Sequence, residues 1–293
     1  MSEILLSAKN LSVRFGGVLA VNNVSFDVRK GEVFTLIGPN GAGKTTVFNL
    51  ISRIYTPTTG EIMYEGEILT AQSPHKIASM GIARTFQNIE LFENASVLHN
   101  LLIGRHTHRK SGLWQDMFFT STAREAEIKT RKKAEEVIDF LGLQHHRDSH
   151  VAGLPYGVRK VVELARALCT EPKLLLLDEP SSGLNVEETE DMAFWIADIK
   201  NVLGITVLMV EHDMTLVSKV SDRVLAMNQG DVLAMGTPRE VQSDAGVIEA
   251  YLGSVDDVSS LRRESSDGPP LDAKAPSGGS AARNAASVGA HSV

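Results

Sequence analysis

Nine consecutive residues, Gly38-Pro39-Asn40-Gly41-Ala42-Gly43-Lys44-Thr45-Thr46, have the types and spacing needed to hold a chain of phosphates. Glycines let the backbone turn tightly enough for successive N–H groups to converge on one anion, and a helix starting here adds the positive end of its dipole. Lys44 brings a mobile positive charge to the β- and γ-phosphates, and Thr45 a hydroxyl for a magnesium ion bridging them. The segment fits the P-loop pattern and lies between an apolar run and a helix pattern, the context this motif requires.

Far downstream, four leucines end in Asp178-Glu179. This places two carboxylates at the C-terminal tip of a buried strand, the edge where open α/β sheets bind ligands. Asp178 is expected to support the magnesium. Glu179 is expected to accept a hydrogen bond from an attacking water and act as general base.

These groups need a rigid frame, and the surrounding pattern supplies one. Val33 to Ile37, Leu174 to Leu177 and Ile205 to Val210 are continuous apolar runs, as expected of parallel strands buried on both faces. The first 30 residues alternate with period two, through Ile4 to Phe15 and again through Leu19 to Val28, and read as antiparallel strands. Between the first two apolar runs, helix signals predominate, including Thr122 to Leu143. The fold class expected is α/β, with an inserted helical subdomain at about 88–155. After Gly253 the composition turns to Ser, Ala, Gly, Asp and Pro, so residues 254–293 are expected to form a disordered tail.

Composition narrows the function classes. Of 293 residues 43% are hydrophobic and 22% charged, the balance of a globular chain. The net charge of −7 gives no support to a nucleic-acid partner. The apolar stretch Val202 to Val210 falls far short of the roughly 20 residues that span a bilayer. A single cysteine, Cys169, leaves no intrachain disulfide and no multi-cysteine metal site. Met1-Ser2-Glu3 lacks the features of a secretory signal, so a cytoplasmic location is expected.

Three further segments accompany the P-loop: Arg84-Thr85-Phe86-Gln87, Leu154-Pro155-Tyr156-Gly157-Val158-Arg159 opening an amphipathic helix to Leu168, and Glu211-His212-Asp213 after the Ile205 strand. Their order and spacing resemble the ATP-binding subunit of an ABC transporter over residues 4 to about 253. The resemblance implies a P-loop ABC ATPase core with an N-terminal antiparallel β subdomain and an inserted helical subdomain, using ATP and Mg2+. It makes Gln87 a nucleotide- and magnesium-site residue that couples to the membrane partner, and Gly157 a signature glycine facing the ATP of a second subunit. Ser182-Gly183-Leu184-Asn185 becomes the loop crossing the dimer interface, His212 the γ-phosphate contact, and Phe15 the aromatic stacked on adenine.

Four positions depart from the family pattern, among them Tyr156 in place of the signature's first glycine and Val158 in place of its glutamine. Pro155 stands where the signature has serine, removing a hydroxyl contact to the opposite nucleotide, while proline suits the first turn of a helix. Asn185 stands where the family has aspartate, which removes a charge and keeps a hydrogen-bonding side chain.

The phrase Arg84 to Asn88 with Leu91-Phe92, the Pro-Tyr-Gly signature, Glu211 to Met214 and the Val247 to Gly253 ending look like the branched-chain amino acid importer's ATP-binding subunit. Urea and short-amide importers share most of these features, and a lipopolysaccharide-type exporter ATPase or a soluble ABC ATPase are the other readings. The partners implied are two membrane permease subunits, a second ATP-binding subunit and an extracytoplasmic solute-binding protein, with this chain peripheral on the cytoplasmic membrane face. His106, His108, His145 and His146 are read as solvated, the Lys129 to Lys133 cluster as an ion-paired exposed face, and Trp114 with Met117-Phe118-Phe119 as core packing.

Overall fold

Ten strands run in chain order through the described residues of the computed structural model, which are 3–85, 89–105 and 121–252. They are β1 (Ile4–Phe15), β2 (Val18–Arg29), β3 (Val33–Ile37), β4 (Thr59–Tyr64), β5 (Glu67–Ile68), β6 (Ile82–Arg84), β7 (Leu174–Asp178), β8 (Thr206–Val210), β9 (Arg223–Asn228) and β10 (Asp231–Gly236). Gln87, His106, His108, Trp114, the Met117-Phe118-Phe119 patch and the 254–293 tail lie outside the described residues.

The alternating N-terminal strands pair antiparallel, β1 with β2 and β4, in a four-stranded sheet of order β2-β1-β4-β5. The alternation in β1 slips between Ala8 and Leu11, where Asn10 takes a φ of 51° and the register shifts. Asparagine tolerates that left-handed conformation, and the bulge keeps Leu6, Ala8, Leu11 and Val13 all in the core.

The continuous apolar runs form the second sheet, of order β10-β9-β3-β8-β7-β6. β3 pairs parallel with β8 and β9, β7 with β8 and β6, and only the β9–β10 edge is antiparallel. Every residue of β3, β7 and β8 is buried. Successive side chains of a strand point to opposite faces, so a run without polar gaps feeds two cores. Leu174 and Leu176 join Phe34, Leu36 and Leu208 on the face toward the antiparallel sheet, whereas Leu175 and Leu177 join Val207 and Met209 on the other. Each fully buried leucine contributes about 1.5–3 kcal/mol of transfer free energy, enough to fix this register against a one-residue slip.

The helices are α1 (Lys44–Ile51), α2 (Pro74–Ser79), α3 (Val97–Gly104), α4 (Ser121–Phe140), α5 (Tyr156–Leu168), α6 (Val186–Asn201), α7 (Met214–Val220), α8 (Pro238–Gln242) and α9 (Ala245–Leu252). The Phe48, Leu50 and Ile51 side chains of α1 fill the core between the two sheets, while α5 and α6 cover the opposite sheet face together with Leu98 and Leu101 of α3 and Val137 and Ile138 of α4. The helix expected to reach Leu143 stops at Phe140, because Gly142 takes a left-handed φ of 69° and the N–H groups of Gly142 and Leu143 turn back to the carbonyls of Asp139 and Ile138. This is a glycine-terminated helix end.

Candidate functional site

The C-terminal ends of β3, β7 and β8 lie side by side, with Leu36 and Asp178 both in register with Val210. The loops leaving these three strands therefore converge on one edge. After β3 comes the phosphate loop. Gly38 has a φ of 147°, and a Cβ there would fall 2.2 Å from the Met227 carbonyl oxygen. Gly43, at φ 100°, would bring a Cβ to 2.5 Å from the Ala20 carbonyl oxygen. Both positions exclude any side chain, which holds β2 and β9 close beneath the loop.

Helix α1 starts at Lys44 with no acidic residue in its first turn, so its unbonded N–H groups face the loop with their positive potential intact. A cavity of about 280 Å³ is lined by residues 40–46 together with Ala20 and Glu179. The Lys44 ammonium, nearly buried, donates to the carbonyls of Gly38 at 2.6 Å and Pro39 at 3.0 Å. Burial lowers its pKa, and the nearby Glu179 and Asp178 charges oppose that shift. The loop, the lysine and Glu179 thus share one cavity.

Asp178 is 3% exposed and is held by a group to which the sequence motifs assign no role. Arg84, at the end of β6, places Nη2 2.7 Å from Asp178 Oδ2. Its Nη1 reaches Asn49 Oδ1 at 2.8 Å and Ser52 Oγ at 2.7 Å, both from α1 or its end, and its guanidinium lies 5.7 Å from the Phe48 ring centre. The arginine orients the carboxylate and ties it to the helix that begins at the phosphate loop.

Glu179 adopts a left-handed φ of 49°. A non-glycine residue in this region is strained and persists only where its surroundings hold it. The holding contacts are its N–H to the Val210 carbonyl at 2.9 Å and its carbonyl accepting from Ser182 N–H at 3.1 Å and from Lys160 Nζ at 3.3 Å. Lys160, buried in α5, is a second group that no sequence motif marks; desolvation lowers its pKa, with Glu163 and Glu211 opposing. After β8, His212 is 58% exposed, with Nδ1 3.6 Å from Glu211 Oε2.

Phe15 stands exposed at the end of β1, beside the Gly16-Gly17 turn, with its ring edge-on to Tyr55 at 5.0 Å between centres.

The signature segment differs from its expected form in one respect. Pro155 is not in the first helical turn; it is the residue before it, with φ −55° and ψ 153°, and α5 begins at Tyr156. The missing proline N–H is harmless at either position, so sequence alone does not separate them. Gly157 is buried, and a Cβ on it would fall 2.2 Å from Glu188 Oε1. The same Glu188 completes a capping box with Asn185, each side chain accepting the other's N–H at 2.9 Å. Asn185 therefore caps α6 as aspartate would, without the charge. Tyr156 donates its hydroxyl to the Ser182 carbonyl at 3.4 Å, joining the signature segment to the loop after Glu179.

Known proteins resemble this chain in sequence and fold. The ABC transporter family model matches residues 21–182, and a second model, the branched-chain amino acid ATP-binding cassette transporter, matches residues 232–257. The high-affinity branched-chain amino acid transport ATP-binding protein LivG of Salmonella typhimurium is 44% identical over 253 residues, 86% of this chain and 99% of that one. BraF of Pseudomonas aeruginosa, described in the same words, is 41% identical with the same coverage. Among solved structures, the ADP conformation of an ATP-binding cassette of an ABC transporter superposes with a TM-score of 0.75 at 31% identity, covering 86% of this chain and all of the other.

Proposed function

This chain belongs to the ABC transporter family of ATP-binding subunits, and we propose that it hydrolyses MgATP to drive uptake of branched-chain amino acids. ATP hydrolysis is the property of the family. The observation that supports Glu179 as its base is the shared cavity, in which this strained carboxylate lines the same space as the phosphate loop. A general base must stand beside the phosphates, and Glu179 lines the cavity that the phosphate loop encloses.

The oxygen donors fit magnesium. Thr45 lines the cavity, and Asp178 is a buried carboxylate with Oδ2 fixed by Arg84; hard oxygen ligands of this kind, completed by phosphate and water, suit the ion. Thr45 and Asp178 would hold it, with Gln87 as a third contributor. Bound there, magnesium would supply charge neutralisation to the phosphates. Lys44 and the first-turn N–H groups of α1 bind the phosphates, Glu179 takes the proton of the attacking water, and His212 contacts the γ-phosphate. Phe15 stacks on the adenine.

The site is completed by a second ATP-binding subunit. In this reading the start of α5, with Pro155 and Gly157, faces the nucleotide held by that partner, and Ser182 to Asn185 cross the interface. Two permease subunits carry the solute, and an extracytoplasmic binding protein delivers it, so this chain sits on the cytoplasmic membrane face. Among the described residues no helix is long and apolar enough to cross a membrane. Support for the solute class comes from the relatives' names and from the match at residues 232–257. The test is to isolate the membrane complex and compare leucine, urea and short amides, each presented on the binding protein, as stimulators of ATP hydrolysis. Leucine should stimulate; stimulation by urea or short amides alone would overturn the solute assignment.

A further inference from the structure

Glu211 follows the last residue of β8 and is wholly buried. A carboxylate in that position must be surrounded by donors, and here the donors come from two separate loops. Oε1 accepts the Ser181 N–H at 2.9 Å and the Ser181 hydroxyl at 2.5 Å. Oε2 accepts the N–H of His212 at 2.7 Å and that of Asp213 at 3.1 Å. Ser181 lies two residues beyond Glu179, and His212 is the γ-phosphate contact of the proposed reaction. One side chain therefore bonds both the loop that carries the base and the turn that carries the histidine.

We propose that Glu211 is a positioning residue for ATP hydrolysis: its two carboxylate oxygens bind the Glu179 loop to the His212 turn, so that base and γ-phosphate contact keep one fixed spacing. The inference rests on the roles proposed for Glu179 and His212. Its chemistry requires a carboxylate. Glutamine keeps the shape but offers one acceptor oxygen, and its NH2 would meet N–H donors of one loop or the other. The loop so released would shift, and a displacement of about 1 Å suffices to misplace a catalytic group without emptying the nucleotide pocket.

The experiment is a double-mutant cycle on the full chain, with MgATP affinity measured by titration and turnover measured in the assembled membrane complex. Glu211→Gln should lower turnover by about 10- to 100-fold and leave the MgATP dissociation constant within about twofold. His212→Ala should lower turnover by itself. In the double variant the combined loss should be smaller than the product of the two single losses, because the spacing to His212 that Glu211 fixes no longer matters and only its hold on the Glu179 loop remains to be lost. A Glu211→Gln complex at the parental rate, or losses that multiply, would overturn the proposal while leaving the His212 reading intact. A His212→Ala complex at the parental rate would overturn that reading and this inference with it. Should Glu211→Gln fail to fold, Ser181→Ala removes one of the four donors and leaves the carboxylate in place. It should slow turnover several-fold at unchanged MgATP affinity, and a parental rate would contradict the proposal.

Discussion

The guanidinium of Arg84 and the carboxylate of Asp178 form a buried ion pair 2.7 Å long, with the two side chains 9% and 3% exposed. Removing the arginine leaves a buried charge without its partner, a loss of about 3–5 kcal/mol in comparable pairs. Arg84→Met should therefore lower the urea midpoint sharply, and adding Asp178→Asn should recover part of the loss. A double variant no more stable than Arg84→Met would show that the pair is not the source of the effect.

Much of this architecture is legible in the sequence because it depends on near neighbours along the chain. The strand runs, the phosphate loop and the carboxylates after Leu177 are set by short-range patterns of apolar and glycine residues. The supporting groups are different. Arg84 meets Asp178 across 94 residues, and Ser181 meets Glu211 across 30; no local period marks such pairs, and only the parallel register brings them together. Pro155 is displaced by one position from its expected place because proline fits both the residue before a helix and its first turn. Gly157 reads as a signature glycine facing a partner's ATP, yet its missing Cβ also leaves room for Glu188, a contact set by the packing of α5 against α6.

That contact makes Gly157 a poor probe of the partner's nucleotide, and Pro155 a better one. Aspartate is a favoured residue immediately before a helix, worth about 1 kcal/mol over a residue without a cap. Pro155→Asp should thus fold with a melting temperature close to the parental value. It also puts a carboxylate where the proposed second subunit's γ-phosphate would approach, and like charges there should oppose closure. Turnover in the complex should fall at least tenfold while ATP binding to the isolated chain is kept. Parental turnover would argue against a nucleotide shared across the interface at this helix.

Glu135 of α4 is bonded by the Arg147 guanidinium, with Nε 3.0 Å from both carboxylate oxygens. That bonding, more than the charge attraction, holds the Glu135 carboxyl below its ordinary value of 4.5. A carboxyl lowered in the folded state contributes stability above its unfolded pKa and loses it as pH falls through the folded one. The pair is partly exposed, so solvent screening keeps its contribution small. Glu135→Gln should be slightly less stable than the parent at pH 7, with the difference shrinking as the pH drops below 4.5. A gap that stays constant in acid would exclude this linkage.

Cys169, the single cysteine, is fully buried, and burial pushes its thiol up to about 12. The thiolate is the reactive form, so at pH 8 both access and ionisation oppose reaction. Modification by iodoacetamide should be slow in the native chain and fast in urea, with its native rate reporting opening of the core around α5. Rapid labelling of the folded chain would contradict the packing described.

The central claim, that Glu179 is the base of an ATP-hydrolysing site, is tested most directly by Glu179→Gln in the assembled complex. The substitution keeps size and hydrogen bonding and removes the proton acceptor. Hydrolysis should fall by about 100-fold or more with MgATP binding retained. Hydrolysis at the parental rate would contradict the assignment.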